Sequence, residues 1–111
     1  MAFQEQQIFQ HRENSTNAAS VYSPGSGETV IIKTIIACNT SGSAATLDIY
    51  HDDDGSTYDE STALIWQYNI PLTGGVTILE NIMMNDSSGN LAMKSSVANA
   101  ITVSGYGAII T

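Results

Sequence analysis

Positive charge is what this sequence has least of. Arg12, Lys33 and Lys94 stand against eleven acidic residues, a net charge of -8. A nucleic-acid site needs clustered Lys and Arg to displace counterions from phosphates, so three scattered cations argue against nucleic acid as a partner. The same deficit argues against docking on an anionic membrane, and no apolar run approaches the ~18 residues of a membrane helix. Cysteine is nearly absent too. Cys38 stands alone, which rules out an internal disulfide and any cysteine-based zinc cluster. Charged residues amount to 13%, against roughly a quarter in ordinary soluble domains, and Ser, Thr, Asn and Gln fill the gap. Such a surface forms hydrogen bonds without carrying charge, as suits a protein that faces other protein.

Catalytic motifs are also missing. The two histidines, His11 and His51, have no His-x-x-x-His or Glu-x-x-His spacing, so they do not read as a zinc site. No Gly-x-Ser-x-Gly elbow, phosphate loop or dinucleotide fingerprint occurs, which predicts no catalytic residues, no metal and no cofactor. Gly105-Tyr106-Gly107 has no helix after it and reads as a strand kink. His51-Asp52-Asp53-Asp54-Gly55 imitates a calcium loop, but an EF-hand register would put Tyr50 first and Ser61 twelfth. An Asp/Gly turn explains it more simply, although so many carboxylates could still attract a cation. Asn-x-Ser/Thr triplets at Asn14, Asn39 and Asn85 carry no weight without a signal peptide. Met1 to Gln7 lacks the basic start and apolar stretch of one, which predicts synthesis in the cytoplasm.

At 111 residues the chain fits one domain with a modest core. Residues 1–15, rich in Gln and Glu, have Ile8 as their only β-branched residue and read either as an N-terminal arm that orders on a neighbouring chain or as a frayed terminus. Residues 16–111 read as the folded domain. Its strands fall at Ala18–Ser23, Glu28–Asn39, Thr46–His51, Leu64–Ile70, Val76–Met84 and Leu91–Ser95. A last pair follows at Ala100–Ser104 and Tyr106–Ile110, or one bulged strand. Pro24-Gly25, Gly42, Gly55, Gly74-Gly75 and Gly89 punctuate them. Seven or eight short strands at this spacing, with no helical period, predict an all-β, antiparallel sandwich or barrel.

Strict alternation through Glu28–Asn39 puts Val30, Ile32, Ile36 and Cys38 on one face, which is expected to be core. Cys38 then reads as a small buried hydrophobe, since a reactive thiol needs cationic, exposed surroundings. The other face, with Ile31, Ile35 and Ala37, is nearly as apolar, and a second cover is expected on it. Phe3, Ile8 and Phe9 in the arm, with Ile31 and Ile35 on that face, are therefore the candidate partner-binding residues. Leu64, Trp66, Tyr68 and Ile70 share one strand phase, which predicts a buried Trp66. The alternative is a sugar-stacking platform built from Tyr58, Trp66 or Tyr68.

Glu28 to Leu79 resembles small β-sandwich proteins of tailed bacteriophage particles. The residues that carry this are the Ile/Val-rich strand ending in Asn39-Thr40-Ser41-Gly42-Ser43-Ala44-Ala45-Thr46, then Leu47-Asp48-Ile49-Tyr50 and the acidic turn with Tyr58. Leu64-Ile65-Trp66, Ile70-Pro71-Leu72 and Val76-Thr77-Ile78 continue the pattern, and Ile101 to Gly107 fits the closing strand. The resemblance implies a jelly-roll-like fold and a virion setting. Short single-domain members are capsid decoration, cement or staple proteins that clamp neighbouring capsid subunits from outside. It implies the major capsid protein as partner, a homo-oligomer (dimer or trimer), a place on the outer capsid surface, and no catalytic residues. The rival expectations are a receptor- or carbohydrate-binding module of a head or tail fibre, and a head-tail joining protein.

Overall fold

The computed structural model describes residues 3–13, 16–53, 55, 57–71, 74–85 and 87–111. Met1, Ala2, Asn14 and Ser15 of the expected arm lie outside the described residues, as do Asp54, Ser56, Leu72, Thr73 and Asp86 of the expected turns. Among the described residues eight strands form: β1 Phe3–Glu13, β2 Ala19–Tyr22, β3 Thr29–Asn39, β4 Ala45–Asp52, β5 Ala63–Ile70, β6 Gly74–Met84, β7 Asn90–Ser95 and β8 Ile101–Ile110. They make two four-stranded sheets, in the orders β1-β8-β3-β6 and β2-β7-β4-β5.

The pairing explains the shape. β1 with β8, β2 with β7, β3 with β6 and β4 with β5 all run antiparallel, as in one long ribbon doubled back between β4 and β5. Rolling that ribbon brings β8 against β3 and β7 against β4, which completes both sheets. This is a jelly-roll sandwich, an all-β antiparallel fold as the strand spacing predicts.

Val30, Ile32, Ile35, Leu47, Met93 and Ile101 fill the space between the sheets with no exposure at all. The face of β3 is not the one strict alternation gives. Ile36 is exposed and Cys38 half-buried, while Ile35 and Ala37 are core. A bulge at Ile32–Thr34 is the reason. Across it β3 advances two residues while β8 advances one, from Gly107 to Tyr106, and β6 three, from Ile82 to Leu79. One extra residue reverses every later side chain in a period-two strand. The bulge sits where backbones crowd, because a β-carbon on Gly107 would lie 1.8 Å from the carbonyl oxygen of Ile31.

The segment read as an arm is a strand of the sandwich. Phe3 to Glu13 pairs along β8, from Phe3 opposite Ile110 to Glu13 opposite Ile101. Phe9 enters the core, and Glu13 is 1% exposed. Its far end is tied down: Asn99 N–H donates to the Glu13 carbonyl at 2.8 Å, and Arg12 Nη2 donates to the Asn99 carbonyl at 2.8 Å. Low β-propensity did not prevent strand formation, because the ladder to β8 and the burial of Phe9 outweigh it. As an edge strand wet on one side, β1 tolerates the Gln-rich composition that made it look like a tail.

Buried Asn39 closes the same end, opposite Ile101 on the other side of β8. Its Nδ2 donates to the Ser43 and Ile70 carbonyls at 2.8 and 3.1 Å, and its Oδ1 accepts from Ser41 N–H and Oγ at 2.9 and 2.8 Å. Fully satisfied, it carries no burial penalty and fixes the Asn-Thr-Ser-Gly-Ser loop to the end of β5.

Candidate functional site

Two surfaces combine exposed apolar or aromatic groups with organised polar ones, one on the outside of each sheet.

On the first sheet, cross-strand partners point the same way. Glu5, Ala108, Ile31 and Met83 make one outward row, and Gln7, Tyr106 and Thr34 the next. Met83 is 67% exposed and Phe3 57%, and Tyr106 and Ile36 are also exposed around half-buried Ile31. Lys33, the extra residue of the β3 bulge, reaches Glu5 at 3.5 Å and the Phe3 ring at 5.8 Å. That pair neutralises itself, and such exposed pairs are worth about 0–1 kcal/mol. Gln7 Nε2 donates to the Tyr106 hydroxyl at 3.4 Å.

Of the five residues proposed from sequence for partner binding, Phe3 and Ile31 lie on this face. Ile8 is half-buried and packs toward the core at a β1 bulge. Phe9 and Ile35 are core residues, 7% and 0% exposed. The strip's other members, Met83, Tyr106 and Ile36, were not singled out. Met83 and Tyr106 face outward by plain alternation, each between two buried neighbours, whereas Ile36 faces outward only because of the β3 bulge.

On the second sheet, Trp66 is not buried. It is 46% exposed on the edge strand β5, between exposed Leu64 and Tyr68. The expected phase fails because β5 slips twice against β4. It advances three residues, Tyr68 to Ile65, while β4 advances two, and then two, Ile65 to Ala63, while β4 advances one. Gln67 takes the left-handed φ of 52° within the first slip, so Ile65 and Ile70 turn inward and Trp66 outward.

A buried carboxylate supports this irregularity. Asp48 Oδ1 accepts the Gln67 N–H at 2.6 Å, and Asp48 Oδ2 accepts the Tyr50 hydroxyl at 2.9 Å. Tyr50, 2% exposed, meets Trp66 edge to face, with ring centroids 6.4 Å apart at 78°. Burial, then the bond to Asp48, push the Tyr50 phenol up to about 12. Above this pair opens a cleft of about 290 Å³, walled by Asn17, Tyr58, Asp59, Glu60, Trp66 and Lys94. Asp59 accepts from Ser61 N–H at 2.8 Å and Ser61 Oγ at 2.5 Å, and these bonds hold its carboxyl below the usual value.

The remaining candidates are held by local contacts. Asp52 Oδ2 accepts Thr57 N–H at 3.0 Å, and Asn90 Nδ2 donates to the Gly55 carbonyl at 2.7 Å. Among the described residues no three His, Cys, Asp or Glu side chains gather as a metal site. His51 Nε2 makes no hydrogen bond among the described residues and lies 3.8 Å from Asp53. His11 lies 3.3 Å from Glu13, at the rim of the first sheet.

No protein-family model matches this chain, and no curated protein matches it. Two solved chains align with it weakly. A chain in the structure of infectious bursal disease virus Gx strain aligns with a TM-score of 0.44 and 9% identity, covering 97% of this chain and 30% of that one. A chain of the Gt strain aligns with a TM-score of 0.38 and 10% identity, covering 96% and 30%. This chain thus spans less than a third of their length, and likeness at this level does not bear on function.

Proposed function

We propose that this protein is a non-catalytic structural component of a virus particle, which attaches to capsid subunits through the outer face of the β1-β8-β3-β6 sheet. The observation that carries the reading is the strip of Phe3, Ile31, Ile36, Met83 and Tyr106 on that face, in a chain whose net charge is -8. Among the described side chains, the charges in its midst, Glu5 and Lys33, face each other. Aromatic residues and Met are enriched and most charged residues depleted at the centres of protein interfaces, and a continuous exposed apolar patch marks such a site. The resemblance of residues 28–79 to particle proteins supplies the occupant: the major capsid protein, met from outside the shell by a dimer or trimer of this chain. A protein that binds only the assembled shell stabilises it by mass action. Bridging two subunits makes it a clamp.

The test adds purified protein to shells that lack it. Met83→Glu and Tyr106→Lys change only exposed positions, so the fold survives, and each is expected to weaken shell binding at least tenfold. Unchanged affinity in both variants refutes the proposed face. Densitometry of native particles counts the copies: a shell-wide number supports decoration, and a ring-like number makes this a head-tail joining protein instead.

A further inference from the structure

We propose that the cleft above Tyr50, on the outer face of the second sheet, binds a neutral saccharide, with the exposed Trp66 ring as its stacking platform. The inference does not rest on the capsid-binding face, because it concerns the opposite side of the sandwich.

Three features of the cleft select this ligand. The first is the platform. Trp66 is the chain's only tryptophan and lies 46% exposed, yet it is not loose. Tyr50 packs against it edge to face, Asp48 holds Tyr50 through its hydroxyl, and the same carboxylate anchors the Gln67 amide next to Trp66. A binding group is effective when packed and hydrogen-bonded neighbours hold it in place, and here a buried carboxylate and phenol do so. An indole face carries negative quadrupole charge, and the C–H side of a pyranose presents partially positive hydrogens to it.

The second feature is charge. Asp59 and Glu60 stand on one wall and repel an anion. Lys94, half-buried, brings an ammonium into the same cleft and offsets one of the two carboxylates. Acceptors and a donor side by side suit a neutral molecule with many hydroxyls. The carboxylates accept from these hydroxyls, and Lys94 donates to them.

The third feature is size. About 290 Å³ lies at the lower end of the ~300–1,000 Å³ typical of ligand pockets, and the cleft is open to solvent. That accommodates one or two sugar rings of a longer chain. If the first sheet lies on a shell, this cleft faces outward, where a surface glycan is met.

Trp66 makes the test direct, since all tryptophan emission comes from the proposed site. The full chain is titrated with the methyl glycosides of glucose, galactose, mannose and N-acetylglucosamine, and separately with L-arginine and acetate. A saturable change with at least one glycoside is expected, at roughly millimolar Kd for so open a site, with none for arginine or acetate. Amide shifts in NMR spectra should map to Tyr58, Trp66 and Lys94. By the same NMR titration, Lys94→Ala and Asp59→Asn should each weaken binding roughly fivefold or more, and Trp66→Phe should retain weakened binding. Circular dichroism should match the parent in all three. The proposal is overturned if no glycoside saturates the signal, if arginine or acetate does so instead, or if the shifts map elsewhere.

Discussion

The ring of Phe9 occupies the space that a side chain on Gly105 would need: a β-carbon there would lie 2.2 Å from the ring's Cε1. The two residues face each other across β1 and β8, so the absence of one side chain is what lets the other enter the core. Gly105→Ala should therefore destabilise by about 1–3 kcal/mol through overpacking. In a Phe9→Leu background the penalty should shrink, and a double-mutant cycle in urea measures the coupling. Gly107→Ala should be worse, because its obstacle is the Ile31 carbonyl oxygen at 1.8 Å and not a side chain.

Because β1 belongs to the sandwich, removing it should unfold the protein. Phe9→Ala should cost about 3–5 kcal/mol, out of a total that for such domains is about 5–15 kcal/mol. Deleting residues 3–13 also strips β8 of a neighbour and should abolish the β signal in circular dichroism. A deletion variant that keeps a cooperative urea transition would restore the reading of this segment as a dispensable arm.

Trp66 should behave as a surface residue. Its emission should be red-shifted and readily quenched by acrylamide, and Trp66→Ala should cost about 1–2 kcal/mol, well below the value for a core aromatic. Blue-shifted, protected emission or an unfolded variant would return it to the core.

Alkaline pH should weaken the fold through Tyr50. Its folded pKa of about 12 lies above the ordinary 10.0, so between those values the folded state holds a proton that the unfolded state has released. That contribution is complete below pH 10 and is lost as pH rises toward 12, by up to about 2–3 kcal/mol. Tyr22, raised by burial and by Glu28, acts in the same direction. Tyr50→Phe should flatten the dependence in urea unfolding followed across this range. A slope unchanged by that substitution would assign the effect elsewhere.

Most strand positions were legible in the sequence. β-branched runs between Gly, Pro and Asn/Asp turns place β3, β4, β5 and β6 within a residue or two of where they form, because strand propensity and turn chemistry act locally. Lack of positive charge and of motif spacing likewise constrains the partners before any fold is known. Phe3 and Ile31 were recognisable as candidates for contact, and Tyr58 and Trp66 as a candidate platform, from their side-chain chemistry alone.

Which way those residues face was decided only by the tertiary structure. Alternation assigns faces only while a strand advances in step with its neighbours, and β3 and β5 both slip. The slips depend on pairs distant in sequence, Gly107 against Ile31 and Asp48 against the Gln67 amide. They sent Ile35 into the core, and they turned Ile36 and Trp66 out to the surface. The Gln-rich opening segment shows the same limit, since its strand exists through a ladder to β8, almost a hundred residues away. Local chemistry set where strands begin and end; non-local backbone contacts set their register, and register alone determines which side chains meet a partner.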